Sequence, residues 1–349
     1  MINFPDRLKN ARKMCGFSLQ DLSDKLSNRM SKQELSRFEN GESNPDSSVL
    51  DDMCLALNVR LDYFFRDSTV SLDDVEFRKL KKLTVKDREK IQSITTEHLE
   101  RYLELENLLG IDNSFPFTPR TIPVSSHEDI EKAADSVRKK FGCGFDPIHN
   151  IAALLEDNNI KVIWVDAPQA FSGMSTIIDK KIGVIVLNSS TVIPIVRKRL
   201  TALHELGHLV LNLETFEEKE KEKYCNAFAA AVLLPREKLK EAFGGWREKV
   251  YGQELKMIKQ YFGISLSAIM HRAFSLELIS ASHLKYFSIR YNQYYRKQEN
   301  LGYSGSEKSD RFLQLIIRAI AQGIISTSKG AALCNQSLSD FRSTLLDAS

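Results

Sequence analysis

Within His204-Glu205-Leu206-Gly207-His208, two histidines stand four residues apart with a glutamate beside the first. On a helix that spacing puts both imidazoles on one face, where they can share a tetrahedral ion. Glu205 then reaches a water held in an open coordination position. A zinc ion there lowers the water's pKa towards ~7, and the carboxylate takes its proton as the water attacks a carbonyl. At average residue usage the pattern arises by accident in roughly one chain of this length per hundred. The bland alternative is therefore a surface helix bearing two histidines and a glutamate. Its neighbours argue otherwise: Leu203, Leu206, Leu209, Val210 and Leu211 make the helix apolar, so it belongs inside a domain where polar groups need partners. Gly207 sits where bulk would crowd the site or a neighbouring strand.

A third ligand must come from elsewhere. The acidic run downstream offers Glu214, Glu217, Glu218, Glu220 and Glu222, most of which must be solvated. Glu222 opens the helical stretch EKYCNAFAAAVLLP, whose Ala227, Ala229, Ala230 and Ala231 permit close helix–helix approach. A carboxylate on that helix completes a two-histidine, one-glutamate site with one position open. Spacing alone leaves Glu222 level with its neighbours taken together. His271 and Tyr224 qualify by type as oxyanion stabilisers, and neither is singled out. The strand KIGVIVLN or its neighbour could take a substrate backbone at a sheet edge.

These groups need a scaffold, and the chain offers a mixed, mostly α one in four parts. Residues 1–66 form an all-α domain, 67–125 a helical linker, 126–284 an α+β domain with a small sheet, and 285–349 a helical C-terminal module. DNSFPFTPRTIPVSS (112–126) is the main boundary, because Pro and Ser break the preceding helix. That helix carries Ile91, Ile94, His98, Tyr102, Leu105 and Leu109 at spacings of 3, 4, 4, 3 and 4, one narrow apolar stripe on a charged rod. It suits a dimer seam or an arm lying against a neighbouring domain. IKVIWVDA, MSTIID and KIGVIVLN read as strands, the last two close enough for a hairpin through Asp179-Lys180. The metal helix should start near Ser190-Thr191, with Pro194 in its first turn. In KYFSIRYNQYYRK (285–297), aromatic residues are expected to pack on the α+β domain while Lys and Arg face water.

The front end has a different logic. SLQDLSDKLSNRMSKQELSRFENG fits two short helices, with Ser18 and Ser31 as N-caps. Leu19, Leu22 and Leu26 can pack against Leu35 and Phe38, leaving Lys32, Gln33, Ser36 and Arg37 outward. Gln33 could read adenine, Lys32 and Arg37 guanine or phosphate, and Gln20 a phosphate at the entry. Segment 1–66 has ten Lys/Arg and ten Asp/Glu, so net charge does not separate a DNA reader from a small helical interaction domain.

Composition narrows the remaining classes. The chain of 349 residues is 42% hydrophobic and 27% charged with a formal charge of +3, which fits ordinary globular domains and excludes a wholesale nucleic-acid or membrane coat. No apolar run reaches a membrane span, and the start lacks a secretion signal. The five scattered cysteines form no CxxC pair, which argues against a disulfide framework or thiolate zinc site. The expected location is cytoplasmic.

At the residues named above the chain resembles two families. RKRLTALHELGHLVL followed by EKYCNAFAAAVLLP is similar to the ImmA/IrrE-type zinc metallopeptidases, and the resemblance covers most of 127–280. It implies a zincin-like domain with zinc on His204, His208 and Glu222, and Glu205 as general base. Cys225 departs from the family's usual alanine and reads as a reduced, buried thiol. Ser31 to Pro45 matches the usual passage of Cro/repressor-type (XRE) helix-turn-helix domains, with similarity over 4–66. That implies binding to a double-stranded DNA operator, with a dimer expected to read two half-sites. The tail from 309 resembles a segment that ends longer members of the peptidase family. Together these imply a transcriptional regulator with endopeptidase activity on a repressor-like protein, or on itself within 67–125. The alternative is a regulator whose peptidase-like half senses metal or peptide without turnover.

Overall fold

The computed structural model describes residues 4–66, 83–295 and 302–346. The chain divides into two compact units, residues 1–113 with 310–349, and residues 114–309. The expected four-part division differs from this at both ends of the α+β region. Residues 114–125 belong to the second unit, and the stretch from 285 splits at 309/310. Within the segment expected to be cut, residues 67–82 lie outside the described residues.

The first unit opens with α1 (Phe4–Met14), α2 (Leu19–Lys25), α3 (Lys32–Glu39), α4 (Ser47–Leu57) and α5 (Val85–Leu108). Ser18 and Ser31 cap α2 and α3, each in a reciprocal box with the acid three residues on, Asp21 and Glu34. Leu22, Leu26, Leu35 and Phe38 are buried together with Leu8 and Met53, and Leu19 packs on them. Helix α5 is fastened to α1 by Arg7, which donates to Glu100 at 2.6 Å, and to the stretch after α4 by Arg66, which donates to Glu97 at 3.0 Å.

In the second unit, β1 (Ile122–Pro123) precedes α6 (His127–Lys140) and α7 (Ile151–Asp157). A three-stranded sheet follows, from β2 (Ile160–Val165), β3 (Gly173–Ile178) and β4 (Ile182–Asn188), in the order β2-β4-β3. β2 runs parallel and β3 antiparallel to β4. Asp179 and Lys180, at φ +50° and +55°, make the tight hairpin turn. KIGVIVLN is thus the central strand with every residue of β4 buried, and β2 and β3 are the outer strands of this sheet. The metal helix α8 spans Ile195–Val210, beginning later than expected because Pro194 serves as its N-cap. β5 (Leu211–Asn212) pairs with β1 in parallel, and α9 spans Glu218–Leu233, so Glu222 lies a turn inside that helix. Helices α10 (Arg236–Phe243), α11 (Gly252–Phe262), α12 (Leu266–Ser275) and α13 (Ala281–Arg290) complete the unit. Of the aromatic stretch after 285, Phe287 and Tyr291 pack on this core while Tyr286 is exposed; Arg296 and Lys297 lie outside the described residues.

The chain then returns to the first unit through α14 (Arg311–Ala321), α15 (Thr327–Leu333) and α16 (Leu338–Leu346). Their apolar side chains Leu315, Ile316, Ala319 and Phe341 cluster with Tyr102 and Leu105 of α5. The seam weighed for a dimer is therefore covered over this stretch by the chain's own tail. Nor is α5 a charged rod with one stripe: Glu97, Glu100, Arg101 and Glu106 are buried on it as well.

Candidate metal centre

Helix α8 enters the core on a buried cation. Arg199, with no exposed surface, donates to the Gly263 carbonyl at 2.9 Å and the His149 carbonyl at 3.1 Å, and it pairs with Glu307. Glu307 in turn accepts the backbone N–H groups of Ile151 and Ala152 at 2.6 and 3.0 Å, which α7 would otherwise leave open. Burial pushes the Glu307 carboxyl above its ordinary range, with the Arg199 charge opposing that shift. This lock fixes the helix one turn before His204.

Helix α9 lies along α8 because the contact is stripped of bulk. A Cβ on Gly207 would meet Phe228 Cδ1 at 3.2 Å and Cys225 Sγ at 3.3 Å. The glycine thus serves the neighbouring helix, not a strand, and Cys225 is a buried thiol, in no disulfide, at that contact. The last carbonyls of α9 are held by cations: Arg138 donates to Val232 and Arg272 to Leu234, both at 2.5 Å.

Between these two helices two imidazoles and a carboxylate converge. His204 Nε2 and His208 Nε2 lie 3.1 Å apart, and the Glu222 carboxylate spans them, Oε2 at 3.2 Å from His204 Nε2 and Oε1 at 3.2 Å from His208 Nε2. His204 and His208 come from one face of α8, as their spacing requires, and Glu222 reaches them from α9. Glu214, Glu217, Glu218 and Glu220 are all exposed. Among the described residues this is the group of His, Cys, Asp and Glu side chains whose ligand atoms gather closely enough for an ion.

The donor set fits zinc. Ligands at 2.0–2.1 Å on tetrahedral axes lie roughly 3.3 Å from one another, close to the imidazole–imidazole separation of 3.1 Å and to the 3.2 Å reach of the carboxylate to each ring. Two imidazoles and one carboxylate also match a site that leaves a fourth corner open. His204 Nδ1 is 3.0 Å from Asn226 Oδ1, an arrangement that makes Nδ1 the protonated nitrogen and turns the Nε2 lone pair to the centre. Glu205, 2% exposed, accepts a 2.8 Å hydrogen bond from Ser175 Oγ on β3. Neither Ser175 nor Asn226 carried a functional reading in the sequence. Asn226 had a signal, one turn beyond Glu222 on the same face, whereas Ser175 is joined to Glu205 only by the fold.

Of the oxyanion candidates, Tyr224 packs its ring against Phe216 at 5.0 Å and His271 is exposed on α12.

In the first unit, Lys32, Gln33 and Arg37 are exposed on α3 and Ser36 is half-buried. Gln20 is exposed on α2, where its amide donates to Asp24 at 2.8 Å. These side chains lie opposite Leu35 and Phe38, which face the core. Among the described residues no helix is long and apolar enough to cross a membrane.

Two family models match the chain. One described as helix-turn-helix covers residues 8–64, and one described as IrrE N-terminal-like domain covers residues 156–274. No curated protein matches the chain. The second match contains α8, α9 and all three convergent ligand atoms, and the first contains α2 and α3. The chain joins an XRE-type helix-turn-helix domain of the DNA-binding regulators to an IrrE-like, metallopeptidase-type domain.

Proposed function

We propose that the chain is a DNA-binding transcriptional regulator whose second unit is a zinc-dependent endopeptidase, cutting a repressor-like protein or the chain itself. The observation that carries this reading is the convergence of two imidazole nitrogens 3.1 Å apart with a carboxylate that sets one oxygen 3.2 Å from His204 and the other 3.2 Å from His208. Two imidazole lone pairs and a carboxylate turned to one centre repel one another until a cation or shared protons lie between them, and the pairing of these groups from two helices suits a metal ion.

His204, His208 and Glu222 are the proposed ligands and Glu205 the proposed base. Zinc bound there would lower the pKa of water in the open position and polarise a substrate carbonyl. Glu205 takes the water's proton and returns it to the leaving nitrogen. Its bond from Ser175 holds the carboxylate in place on the helix. β3, an outer strand of the sheet that also carries Ser175, is the proposed place for an extended substrate segment to add. Gln20, Lys32, Gln33, Ser36 and Arg37 are the proposed DNA contacts, which would place the peptidase beside DNA-bound protein.

The test is metal content followed by mass. Protein purified without chelator should carry about one zinc per chain, and His204→Ala should lose it. Incubated with zinc and then with lysate of the native host, the wild type should yield cleavage products that Glu205→Gln does not. Turnover in that variant should fall by roughly 10²–10⁴-fold. Identical intact masses for the two proteins remove self-cleavage. Full zinc content without cleavage in any lysate leaves a metal or peptide sensor instead.

A further inference from the structure

The C-terminal helices repeat the format of the helix-turn-helix domain. α1 and α14 each span 11 residues and end on a glycine in the left-handed region, Gly16 at φ +67° and Gly323 at +69°. Each is followed by a serine-capped helix of 7 residues, Ser18 before α2 and Ser326 before α15. Four and five positions beyond the cap, both short helices bury a pair, Leu22 and Ser23 in one, Gly330 and Ala331 in the other. Nine positions beyond the cap both chains turn left-handed, Ser27 at φ +55° and Asn335 at +52°. A second serine then starts the last helix: Ser31 accepts from Glu34 N at 3.3 Å, and Ser337 from Asp340 N at 3.1 Å. The next residue, Leu35 or Phe341, is fully buried. The turn between the last two helices is shorter in the second copy, which sequence comparison at a fixed period does not reveal.

We infer that residues 311–346 are a second helix-turn-helix, with α16 its reading helix and double-stranded DNA its partner. Aligned on the capping serines, Gln33, Ser36 and Arg37 of α3 correspond to Ser339, Arg342 and Ser343 of α16, and all three of the latter are exposed. Charge favours the same partner. Residues 311–346 carry Arg311, Arg318, Lys329 and Arg342 with one acid, Asp340, a net +3 that equals the formal charge of the whole chain; Lys329 pairs with Glu104 of α5 at 2.5 Å, and Arg318 and Arg342 are exposed. The first copy, with balanced charge over 1–66, lacks this attraction. Within their unit the copies are tied together, since Arg60 donates to the Gln336 carbonyl at 2.9 Å and Asn335 to the Asn58 carbonyl at 3.2 Å. A chain with two reading helices contacts a longer operator than one domain spans.

The test selects duplexes from a random pool with the full-length protein and repeats the selection with Arg37→Ala and Arg342→Ala. The expected site has two blocks of preferred bases. Arg342→Ala should erase one block, weaken binding to the wild-type site by about tenfold or more, and flatten the salt dependence; Arg37→Ala should erase the other. Both arginines are exposed, so thermal unfolding should not change. If Arg342→Ala and the double variant Ser339→Ala/Arg342→Ala select and bind the wild-type site unchanged, the inference is overturned while DNA binding by α3 stands. A wild-type protein that selects no duplex overturns both.

Discussion

Two helix pairs carry the functional side chains of this molecule, and they are built by opposite means. In α8–α9 the groups converge: two imidazoles and a carboxylate meet within 3.2 Å, with His204 and Glu205 buried. In α2–α3 they diverge, with Lys32, Gln33 and Arg37 standing into solvent from a helix fixed by the Ser31–Glu34 capping box, a paired bond from Arg12 to Glu39 and apolar contacts. Convergence needs support on every side, and α8 and α9 receive it from Arg199, Arg138, Arg272 and the bare face of Gly207. Divergence needs only that the backbone hold its shape. A chemical centre tolerates little positional error, while a reading surface adapts to its target.

That contrast can be broken first at its most expensive support. Arg199→Met leaves Glu307 buried without its counter-charge, and the second unit should lose about 3–5 kcal/mol of stability at neutral pH. The Glu307 carboxyl is already raised by burial, so it should protonate in the variant, and the loss should shrink as pH falls. Urea titrations at neutral and mildly acidic pH measure both effects. An unchanged midpoint would mean that the arginine is not what holds α8.

A smaller effect separates orientation from support. Asn226→Ala removes the acceptor that fixes the His204 ring. Zinc affinity measured by chelator competition should fall by about 10–100-fold with the fold intact. An unaltered affinity would show that packing alone orients the imidazole.

The smallest effect probes the divergent pair. Ser31 holds the Glu34 carboxyl below its ordinary 4.5 by hydrogen bonds from its backbone N–H and hydroxyl. A depressed carboxyl adds stability that is complete above the unfolded pKa and disappears as pH falls through the folded value. Glu34→Gln should therefore melt slightly lower than wild type at neutral pH, with the gap closing below pH 4.5. A gap of constant size would mean that the capping box is not electrostatic in origin.

Much of the arrangement was legible beforehand because its rules are local. Serine caps, the left-handed glycines and the four-residue histidine spacing act within one or two turns, so Ser18, Ser31 and the His204–His208 pair stood out from the chain alone. Other features resisted. The stripe on α5 was visible, but its cover was not, since Tyr102 and Phe312 are 210 positions apart and meet only through the fold, at 5.1 Å. Pro194 looked like a first-turn residue and is the cap instead, so the helix begins later. Ser175 could not be found because strand alternation says which face it shares, not which helix lies against that face.

From sequence alone came the residue types, the paired imidazoles on one helical face, the small-residue helix that could approach them and the outward set on α3. Those follow from the pitch of a helix and from side-chain chemistry, which need no distant partner. The tertiary structure selected Glu222 from its acidic neighbours, recruited Ser175 and Asn226, and folded the tail back onto α5. Each of those depends on which surfaces meet, and apolar burial drives such meetings without regard to separation along the chain.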